Sequence, residues 1–354
     1  MRRRPQAAKK RAPEVISKIE ELLAFEIAGD PMTGLKWTRI TTGKISEELK
    51  TLDIHISPNT VAKLLKEMGF SLRVNQKKLS ASSVPPPIRD EQFRYIAKLR
   101  KQFAEHGAMI ISIDTKKKEL VGWFKNQGQV WSRQPTAVND HDFRSQAEGL
   151  AIPYGIYDVR ANRGMVVVGT SSDTPEFSID CLVDWYTKEG RWSYPHTKEL
   201  LILADGGGSN RSGSYLWKYG LQQKLCDHYG LSITVCHYPP GTSKWNPIEH
   251  RLFSEISKHW AGRPLDSYET ILKYLRTTTT TTGLKVTALL NEKLYEKGIK
   301  VTKEQKTSIS LTSHHVQPKQ NYSLHPKEIT FHLQEDSCEE INGQELMPQK
   351  LSTG

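Results

Sequence analysis

Long hydrophobic runs are missing from the sequence, and no stretch approaches eighteen consecutive apolar residues. The first residues are Met-Arg-Arg-Arg-Pro, with no apolar stretch behind them. A transmembrane helix needs about 20 apolar residues, and a secretory signal needs an apolar core. We therefore expect no membrane span, no secretory signal and a cytoplasmic location.

Cysteine is scarce as well. The sequence contains no CxxC pair, and its four cysteines are widely spaced at Cys181, Cys226, Cys236 and Cys338. This pattern argues against a disulfide framework and against a structural zinc site. Reduced thiols are the expected state.

Acidic residues are outnumbered at the front of the chain. Residues 1–80 hold 16 Lys and Arg against 9 Asp and Glu, so +7 of the total net charge of +11 lies in less than a quarter of the sequence. Residues 319–354 hold 3 Lys against 6 acids. A basic front end is typical of proteins that bind a polyanion such as nucleic acid. A solvated basic surface is the alternative, and charge alone does not separate the two.

Three helices are predicted in this basic region. Residues 13–28 and 43–52 carry apolar side chains at helical spacing. A third helix begins with Ser57 as N-cap and Pro58 at the first helical position, and Gly69 ends it. The whole segment is therefore predicted to be an all-α domain.

The capped third helix resembles the second helix of a helix-turn-helix. Lys63 and Lys66 fall on its polar side and are candidate DNA contacts. A plain three-helix bundle with no role in DNA binding is the alternative, and the basic charge favours the DNA-binding interpretation.

Composition sets the other boundaries. The stretch SASSVPPPIRD is typical of a linker, and the chain beyond about residue 310 is polar and finally acidic. The predicted divisions are a basic arm and helix-turn-helix domain at 1–79, a linker at 80–90, a catalytic domain at 91–262, its C-terminal extension at 263–312, and a polar, partly disordered tail at 313–354.

The middle of the chain alternates strands and helices. Three strand-like runs are followed by helix, strand, helix, strand and helix, the strands lying at 109–114, 151–159, 164–171, 200–205 and 231–238. This is the element order of a ribonuclease-H-like fold, which predicts a mixed α/β sheet with helices on both faces.

Two aspartates end predicted strands. Asp114 closes MIISID, and Asp205 closes LLILAD before three glycines. The carboxyl ends of strands in open α/β sheets are where ligand sites lie, and glycines allow a phosphodiester backbone to approach closely. A GxGxxG motif counted from Gly206 fails at Arg211, and no GxxxxGK[ST] motif is present. Simple turn-capping aspartates and a glycine turn are the alternatives.

Glu249 lies in the segment PPGTSKWNPIEHRLFSEI. Asn246 is predicted to cap a helix and Pro247 to occupy its first position, which places Glu249 in the first turn, facing the strand ends. An acid there also favours the helix dipole without any catalytic role. The three acids together are more specific, since carboxylates from two strand ends and one helix can converge on hard divalent cations.

Six segments carry a resemblance to a known family: SIDTKKKELVG, HDFRSQAEG, IPYGIYDVRANRG, TPEFSID, LLILADGGGSN and ITVCHYPPGTSKWNPIEHRLFS. Over roughly residues 30–310 they resemble the catalytic domain of the Rhodopirellula transposase family of bacterial insertion sequences, and the NPIE segment is also similar to mariner-like transposases. The resemblance implies that Asp114, Asp205 and Glu249 are the DDE acids. Asp205 and Glu249 are separated by 43 residues, enough for one helix and one strand.

The resemblance also implies a chemistry and partners. The acids are expected to bind Mg²⁺ or Mn²⁺ as a pair of ions about 4 Å apart that serves in-line displacement at phosphorus. Double-stranded DNA at the element ends and at the target is the expected partner, with a homo-oligomer on the DNA and an association with the bacterial nucleoid. Further candidate phosphate contacts lie beside the acids in sequence: Lys116, Lys117, Lys118, Arg144, Arg160, Arg163, Lys244 and His250.

Three more residues are weaker candidates for a role at this site. Asn210 and His237 are expected behind the acids, and Trp245 either stacks on a splayed base or packs internally.

Two other functions remain open on sequence alone. A non-catalytic DNA-binding protein derived from a transposase is the main alternative, although the three intact acids favour an enzyme. A ribonuclease-H-type nuclease without strand transfer is the other. Six basic residues and no acid precede Glu14, which resembles a connector and leads us to expect a shortened member of the family. An ordinary basic arm is the alternative there.

Overall fold

The computed structural model describes residues 12–29, 36–38, 40–71 and 85–327. The basic arm at 1–11, residues 80–84 of the predicted linker, and the tail from 328 onward lie outside these ranges. Two compact units make up the structure, residues 1–79 and residues 80–354, and each is described by itself.

In the described part of the first unit there are three helices and a pair of short strands. The helices are α1 (Ala12–Glu26), α2 (Thr42–Thr51) and α3 (Pro58–Glu67). Their apolar faces form one core that includes Ile19, Ile45, Leu49 and Val61. The three helices were expected from the spacing of apolar residues, and each has its predicted place.

The start of α3 follows the predicted capping pattern. The Ser57 hydroxyl accepts a hydrogen bond from the Thr60 backbone N–H at 3.2 Å, and Pro58 is the first helical residue. Gly69 follows the helix with a φ of +85°, a conformation that suits glycine.

The unit is not all-α, so that prediction is wrong. Strands β1 (Ile27–Gly29) and β2 (Lys36–Thr38) pair antiparallel, with Ile27 opposite Thr38. The first helix correspondingly ends at Glu26 rather than at residue 28. Such short strands cannot be predicted from the spacing of apolar residues, because three residues hold barely one repeat of the two-residue strand pattern.

The second unit is built on a nine-stranded sheet. Its order is β10-β11-β8-β7-β3-β5-β6-β9, with β4 beside β5. The strands are β3 (Met109–Thr115), β4 (Glu119–Val121), β5 (Gly149–Asp158), β6 (Arg163–Gly169), β7 (Glu199–Ala204), β8 (Ser232–His237), β9 (Lys285–Asn291), β10 (Leu311–Ser313) and β11 (Asn321–Leu324).

The sheet contains both parallel and antiparallel strands. β3, β7 and β8 run parallel, while β5 is antiparallel to both β3 and β6. A central strand with an antiparallel pair on one side and two parallel strands on the other is the ribonuclease-H-like arrangement. The predicted mixed sheet is therefore confirmed. β9 joins the same sheet parallel to β6, so part of the predicted C-terminal extension belongs to it.

The α-helices of this unit that are longer than one turn, among the described residues, are α4 to α9. They span α4 (Pro86–Glu105), α5 (Pro175–Trp185), α6 (Tyr215–Leu221), α7 (Ser254–His259), α8 (Tyr268–Thr277) and α9 (Lys303–Thr307). Several are extended by π-helical turns, at Tyr186–Gly190 after α5, at Gln222–Asp227 after α6 and at Glu249–Phe253 directly before α7.

Helices cover both faces of the sheet, as predicted. Ile111 and Ile202 point to one face, where α5 and α6 pack. Their strand neighbours Ile110 and Leu201 point to the other face, where α4 packs. The turn before α7, together with α8, covers the β5–β6 side of that second face. Alternate residues of each strand thus pack into two separate apolar layers, one on each face of the sheet.

Two predicted boundaries are wrong. α4 begins at Pro86, inside the segment predicted as a linker, because proline is well accepted in a first helical turn where no backbone donor is needed. The predicted tail contains β11, which pairs with β8 and buries Tyr322 and Leu324. A short strand needs only alternate apolar residues, so a polar average composition conceals it.

Among the described residues, no helix combines the length and apolar character that crossing a membrane requires. The cysteines within the described ranges, Cys181, Cys226 and Cys236, are buried free thiols.

Candidate active site

Sheet register places Asp114 and Asp205 side by side. β3 and β7 are adjacent and parallel, with Ile113 paired to Ala204. Asp114 is the next residue of β3 and Asp205 directly follows β7, so both lie at the carboxyl ends of these two strands. The Asp114 carboxylate accepts from the Thr115 N–H at 2.7 Å, and Asp205 accepts from the Gly207 N–H at 3.1 Å.

The turn that carries Glu249 is fastened to β3. The Ser112 hydroxyl donates to Asn246 Oδ1 at 2.5 Å, and its oxygen accepts from the Ile248 N–H at 3.0 Å. Asn246 Nδ2 donates to the Ile113 carbonyl at 3.0 Å. Asn246 therefore does not cap the helix with its own side chain as predicted. Ser112 of the neighbouring strand supplies an acceptor for the helix start instead.

A glycine in β5 lets the same turn come close to the sheet. Gly155 is paired with Asp114 across the sheet. A Cβ added at Gly155 would lie 2.5 Å from Phe253 Cε1 and 2.8 Å from Ile248 Cδ1. Any side chain there would push the Glu249 turn away, so this glycine sets the distance between the turn and the strand that ends in Asp114.

A cavity of about 300 Å³ opens at this edge of the sheet. Asp114 and Asp205 line it, and a third acid, Asp173, lies in the same wall. The rest of the lining comes from the segment after β3 and from the glycine-rich segment after Asp205, namely Thr115, Lys116, Lys117, Lys118, Gly207, Gly208, Ser209 and Asn210. Glu249 is not part of this lining.

Glu249 nevertheless acts on Asp114. Burial raises the pKa of Asp114 to about 8, and the neighbouring carboxylates of Asp205 and Glu249 add to the shift. The three predicted acids thus form one electrostatic group in which a proton stays on Asp114 near neutral pH.

This shift has a consequence for stability. The pKa of Asp114 is higher in the folded protein than its value of 3.8 in the unfolded chain. The side chain therefore favours the folded state at low pH, and this contribution to stability is lost as the pH rises toward the pKa of the folded protein. We expect Asp114→Asn to stabilise the metal-free protein more at pH 8 than at pH 5. The difference in free energy of unfolding between variant and wild type should widen by about 1–3 kcal/mol over that range.

Denaturant unfolding in EDTA at the two pH values measures this widening. Glu199→Gln is the matched control, because Glu199 is exposed at the opposite end of β7. A difference between Asp114→Asn and wild type that is equal at pH 5 and pH 8 would contradict the shift.

The donor set suits a hard divalent cation, since it consists of carboxylates that repel one another in the absence of a cation. Within the described ranges, however, no three Asp, Glu, His or Cys side chains are close enough together to hold a metal ion as they stand. The acids are neighbours in the fold but do not form a closed set of ligands.

Of the lysines after β3, Lys116 differs from the other two. Its side chain is only 9% exposed, and its ammonium lies 3.1 Å from Glu119 Oε1 and 4.5 Å from the centre of the Trp260 ring. The phosphate contact expected at Lys116 stays a prediction, and within the fold its charge is already paired with Glu119. Lys117 and Lys118 are exposed and line both the acidic cavity and a neighbouring one.

The remaining basic candidates are spread out. Arg144 is exposed on a short 3₁₀ turn, and Lys244 is exposed with its ammonium 5.6 Å from the centre of the Trp245 ring. His250 is exposed, and its Nε2 contacts the Lys244 carbonyl. Trp245 is 59% exposed and meets Phe93 edge-on.

Arg160 lies at the other end of the sheet. Its guanidinium donates to the Ala108 carbonyl at 3.0 Å and stacks on Tyr194. Arg163 starts β6 opposite Asp158, far along β5 from the residue that pairs with Asp114. Neither arginine belongs to the edge that carries the acids.

Asn210 and His237 meet behind Asp205, as expected. His237 ends β8 and is fully buried, with its Nε2 2.8 Å from the Asn210 carbonyl and its Nδ1 3.0 Å from the Gln320 carbonyl. The Asn210 side chain accepts from the Tyr154 hydroxyl at 2.9 Å. These bonds hold the end of the glycine-rich segment in place.

Sequence reasoning missed three residues of the site. Asp173 stands directly before Thr174, the N-cap of α5, so the sequence suggests a helix start and nothing more. Ser112 interrupts an apolar strand, which was a usable signal, because a hydroxyl in a buried strand needs a partner. Ser209 follows the glycines and gave no signal of its own.

This chain is similar to a known protein family and to solved structures. Residues 18–326 match the family model described as the Rhodopirellula transposase DDE domain. The search of curated proteins finds no match. A Mos1 transposase paired-end complex with the left transposon end is similar at 14% identity and a TM-score of 0.41, covering 73% of this chain and 69% of that chain. The Mos1 strand transfer complex is similar at 15% identity and a TM-score of 0.40, covering 73% and 68%.

Proposed function

The chain belongs to the Rhodopirellula transposase DDE family, and from this premise we propose that it is a metal-dependent transposase that cleaves DNA at the ends of an insertion sequence and joins those ends to target DNA. The observation that carries the proposal is the register of β3 and β7, which brings Asp114 and Asp205 to one edge of the sheet. Glu249 is near enough to raise the pKa of Asp114.

The proposed catalytic and metal-binding residues are Asp114, Asp205 and Glu249. When bound, Mg²⁺ or Mn²⁺ would supply Lewis-acid activation of the attacking oxygen and stabilisation of the leaving oxygen. The chain itself positions the acids: Gly207 holds Asp205, the Thr115 backbone holds Asp114, and Ser112 holds the turn of Glu249. Closure of the three acids into one ligand set is expected to accompany metal binding.

Lys117 and Lys118 are proposed to hold DNA phosphates beside the acids. Both are exposed, and both line the acidic cavity and the neighbouring cavity of about 320 Å³. Lys125 adds a further positive charge to that second cavity. Lysines along adjoining cavities suit a polyanion that passes over the acids. Arg144, Lys244 and His250 stay candidates because they are exposed.

The first unit is proposed to be a helix-turn-helix that binds double-stranded DNA. Lys63 and Lys66 are exposed on α3, and the helix is capped and short, as such recognition helices are. Oligomerisation on DNA and association with the nucleoid stay predictions of the family resemblance.

Changing these lysines tests the first unit. Lys63→Ala and Lys66→Ala should each weaken DNA binding and reduce the slope of log affinity against log salt by about 1 per lost phosphate contact. Fluorescence anisotropy over a series of salt concentrations measures the slope. Lys18→Ala is the control, since its ammonium is already 2.7 Å from Glu21. Slopes that equal wild type in both variants would assign these helices to a purely structural role.

Cleavage of DNA tests the function as a whole. The full chain is incubated with Mg²⁺ and a duplex that contains its own gene with both flanks, and the products are mapped at nucleotide resolution. Cuts at two defined positions outside the gene are expected. Binding of the same duplex without any cut, at any protein concentration, would favour the alternative of a non-catalytic DNA-binding protein.

A further inference from the structure

Ser209 carries a hydroxyl that the protein does not satisfy. The residue is only 3% exposed, and its Oγ is the single buried side-chain nitrogen or oxygen without a hydrogen-bond partner in the part of the chain that the structure describes. Leaving a buried hydroxyl without a partner is unfavourable, and native proteins rarely do so without a ligand or water at the site.

The hydroxyl belongs to the acidic cavity. Ser209 lines it together with Asp114, Asp173 and Asp205. It occupies the middle of a 3₁₀ turn, Gly208–Asn210. That position gives the side chain access to whatever group fills the cavity.

The backbone around Ser209 is fixed on both sides. Gly208 precedes it with a φ of +60°, and the Asn210 that follows is bonded through its carbonyl to His237 and through its side chain to Tyr154. A fixed turn prevents Ser209 from reaching a different partner by a backbone shift. A group that enters the cavity is the partner that this position can accept.

The charges around the cavity indicate the chemical class of that group. The Asp205 carboxylate would repel a bare anion, whereas the acids of the cavity would hold one that arrives with a divalent cation. The Lys118 ammonium lies 3.4 Å from an Asp173 oxygen, and Thr115 Oγ1 donates to the other Asp173 oxygen at 3.2 Å. The Lys118 ammonium is thus held beside the acids. A phosphoryl group would offer acceptor oxygens to the Ser209 hydroxyl and negative charge to this ammonium.

We propose that the Ser209 hydroxyl binds the phosphoryl group on which this site acts, donating a hydrogen bond to one of its non-bridging oxygens. The inference rests on the proposed function, which it extends from the three acids to a substrate-binding residue in the glycine-rich segment. Ser209 touches substrate in this scheme, while Asp173 acts through Lys118 and is a positioning residue.

Replacing Ser209 by Ala tests the inference. Ser212→Ala is the matched control, because Ser212 lies three positions further along the same segment. The probe is inorganic phosphate in the presence of Mn²⁺, followed with the full chain through the broadening of the phosphate ³¹P signal. Ser209→Ala should weaken phosphate binding by about tenfold, the loss of one hydrogen bond to a charged acceptor. The Mn²⁺ affinities of Ser209→Ala and Ser212→Ala should both equal the Mn²⁺ affinity of the wild type.

The melting temperature provides a second readout. Because the hydroxyl bonds to nothing in the described protein, Ser209→Ala should melt at or above the wild-type temperature, which a structural serine would not do. Equal phosphate affinity in Ser209→Ala and wild type, no measurable phosphate binding by wild type, or a melting temperature clearly below wild type would each overturn the inference.

Cleavage of the flanking DNA separates this inference from the proposed function. If wild type cleaves and Ser209→Ala binds phosphate as wild type does, the inference is wrong and the function stands. If wild type never cleaves but phosphate binding depends on Ser209, the ligand class stands and the transposase function is wrong.

Discussion

Replacing Asp205 by Asn is expected to reduce the rate of strand cleavage by about a thousandfold or more, because metal ions at a phosphoryl site supply several kcal/mol of transition-state stabilisation. Asn keeps the size of the side chain and removes the negative charge that a cation needs. Asp114→Asn and Glu249→Gln should have effects of the same order, since the three acids form one electrostatic group.

DNA binding should survive these substitutions. Affinity for duplex DNA is dominated by contacts between basic residues and phosphates, so it should stay within about twofold of wild type. Single-turnover cleavage and anisotropy titrations in the same buffer measure the two quantities separately. Glu199→Gln, at the far end of β7, should leave both unchanged.

The fold should survive as well. Asp114→Asn in particular is expected to keep or raise the melting temperature at neutral pH, because burial and two like charges raise the pKa of the aspartate it replaces. Cleavage by Asp205→Asn at the wild-type rate would remove this residue from the catalytic set. A variant that failed to cleave only because it was unfolded would be recognised by its melting curve.

The second large effect concerns the metal. Cleavage should require Mg²⁺ or Mn²⁺, stop completely in EDTA, and fail with Ca²⁺, whose longer and more variable bonds position the reacting oxygens poorly. We expect all strand cleavage to be lost in EDTA. Rates measured after dialysis against EDTA and readdition of each ion test this prediction, and undiminished cleavage in EDTA would exclude the proposed mechanism.

Metal binding also has a readout that does not depend on cleavage. Mn²⁺ should raise the melting temperature of the wild type, because a ligand that binds only the folded state stabilises it by mass action. The same addition should have a much smaller effect on Asp205→Asn. Equal shifts in the two proteins would place the Mn²⁺ elsewhere.

Much of the site could be predicted from the sequence. Asp114 and Asp205 each close a run of buried residues, and such runs predict strands whose ends share one edge of a parallel sheet. The spacing of apolar residues likewise predicted all three helices of the first unit, and Ser57 and Pro58 marked the start of α3 correctly.

The errors have physical causes. Periodicity averages over several residues, so it missed the three-residue strands β1 and β2 and the four-residue strand β11. The burial of Lys116 was also not foreseen from its place beside Asp114, because neighbours in sequence alternate between faces and environments. Its ammonium was already matched with Glu119 and Trp260, the latter 144 residues away.

The sequence by itself determined the family and the order of the central strands and helices, and it predicted the three acids, because these depend on residue types and on local spacing. Tertiary structure alone decided which side chains meet the acids. Ser112 reaches the turn of Glu249 only because that turn packs on β3 beside Gly155. Asp173 and Ser209 share a cavity with Asp114 because strand register and two crossovers bring distant segments to one edge. Contacts of that kind depend on the relative position of packed elements, which no local pattern of residues encodes.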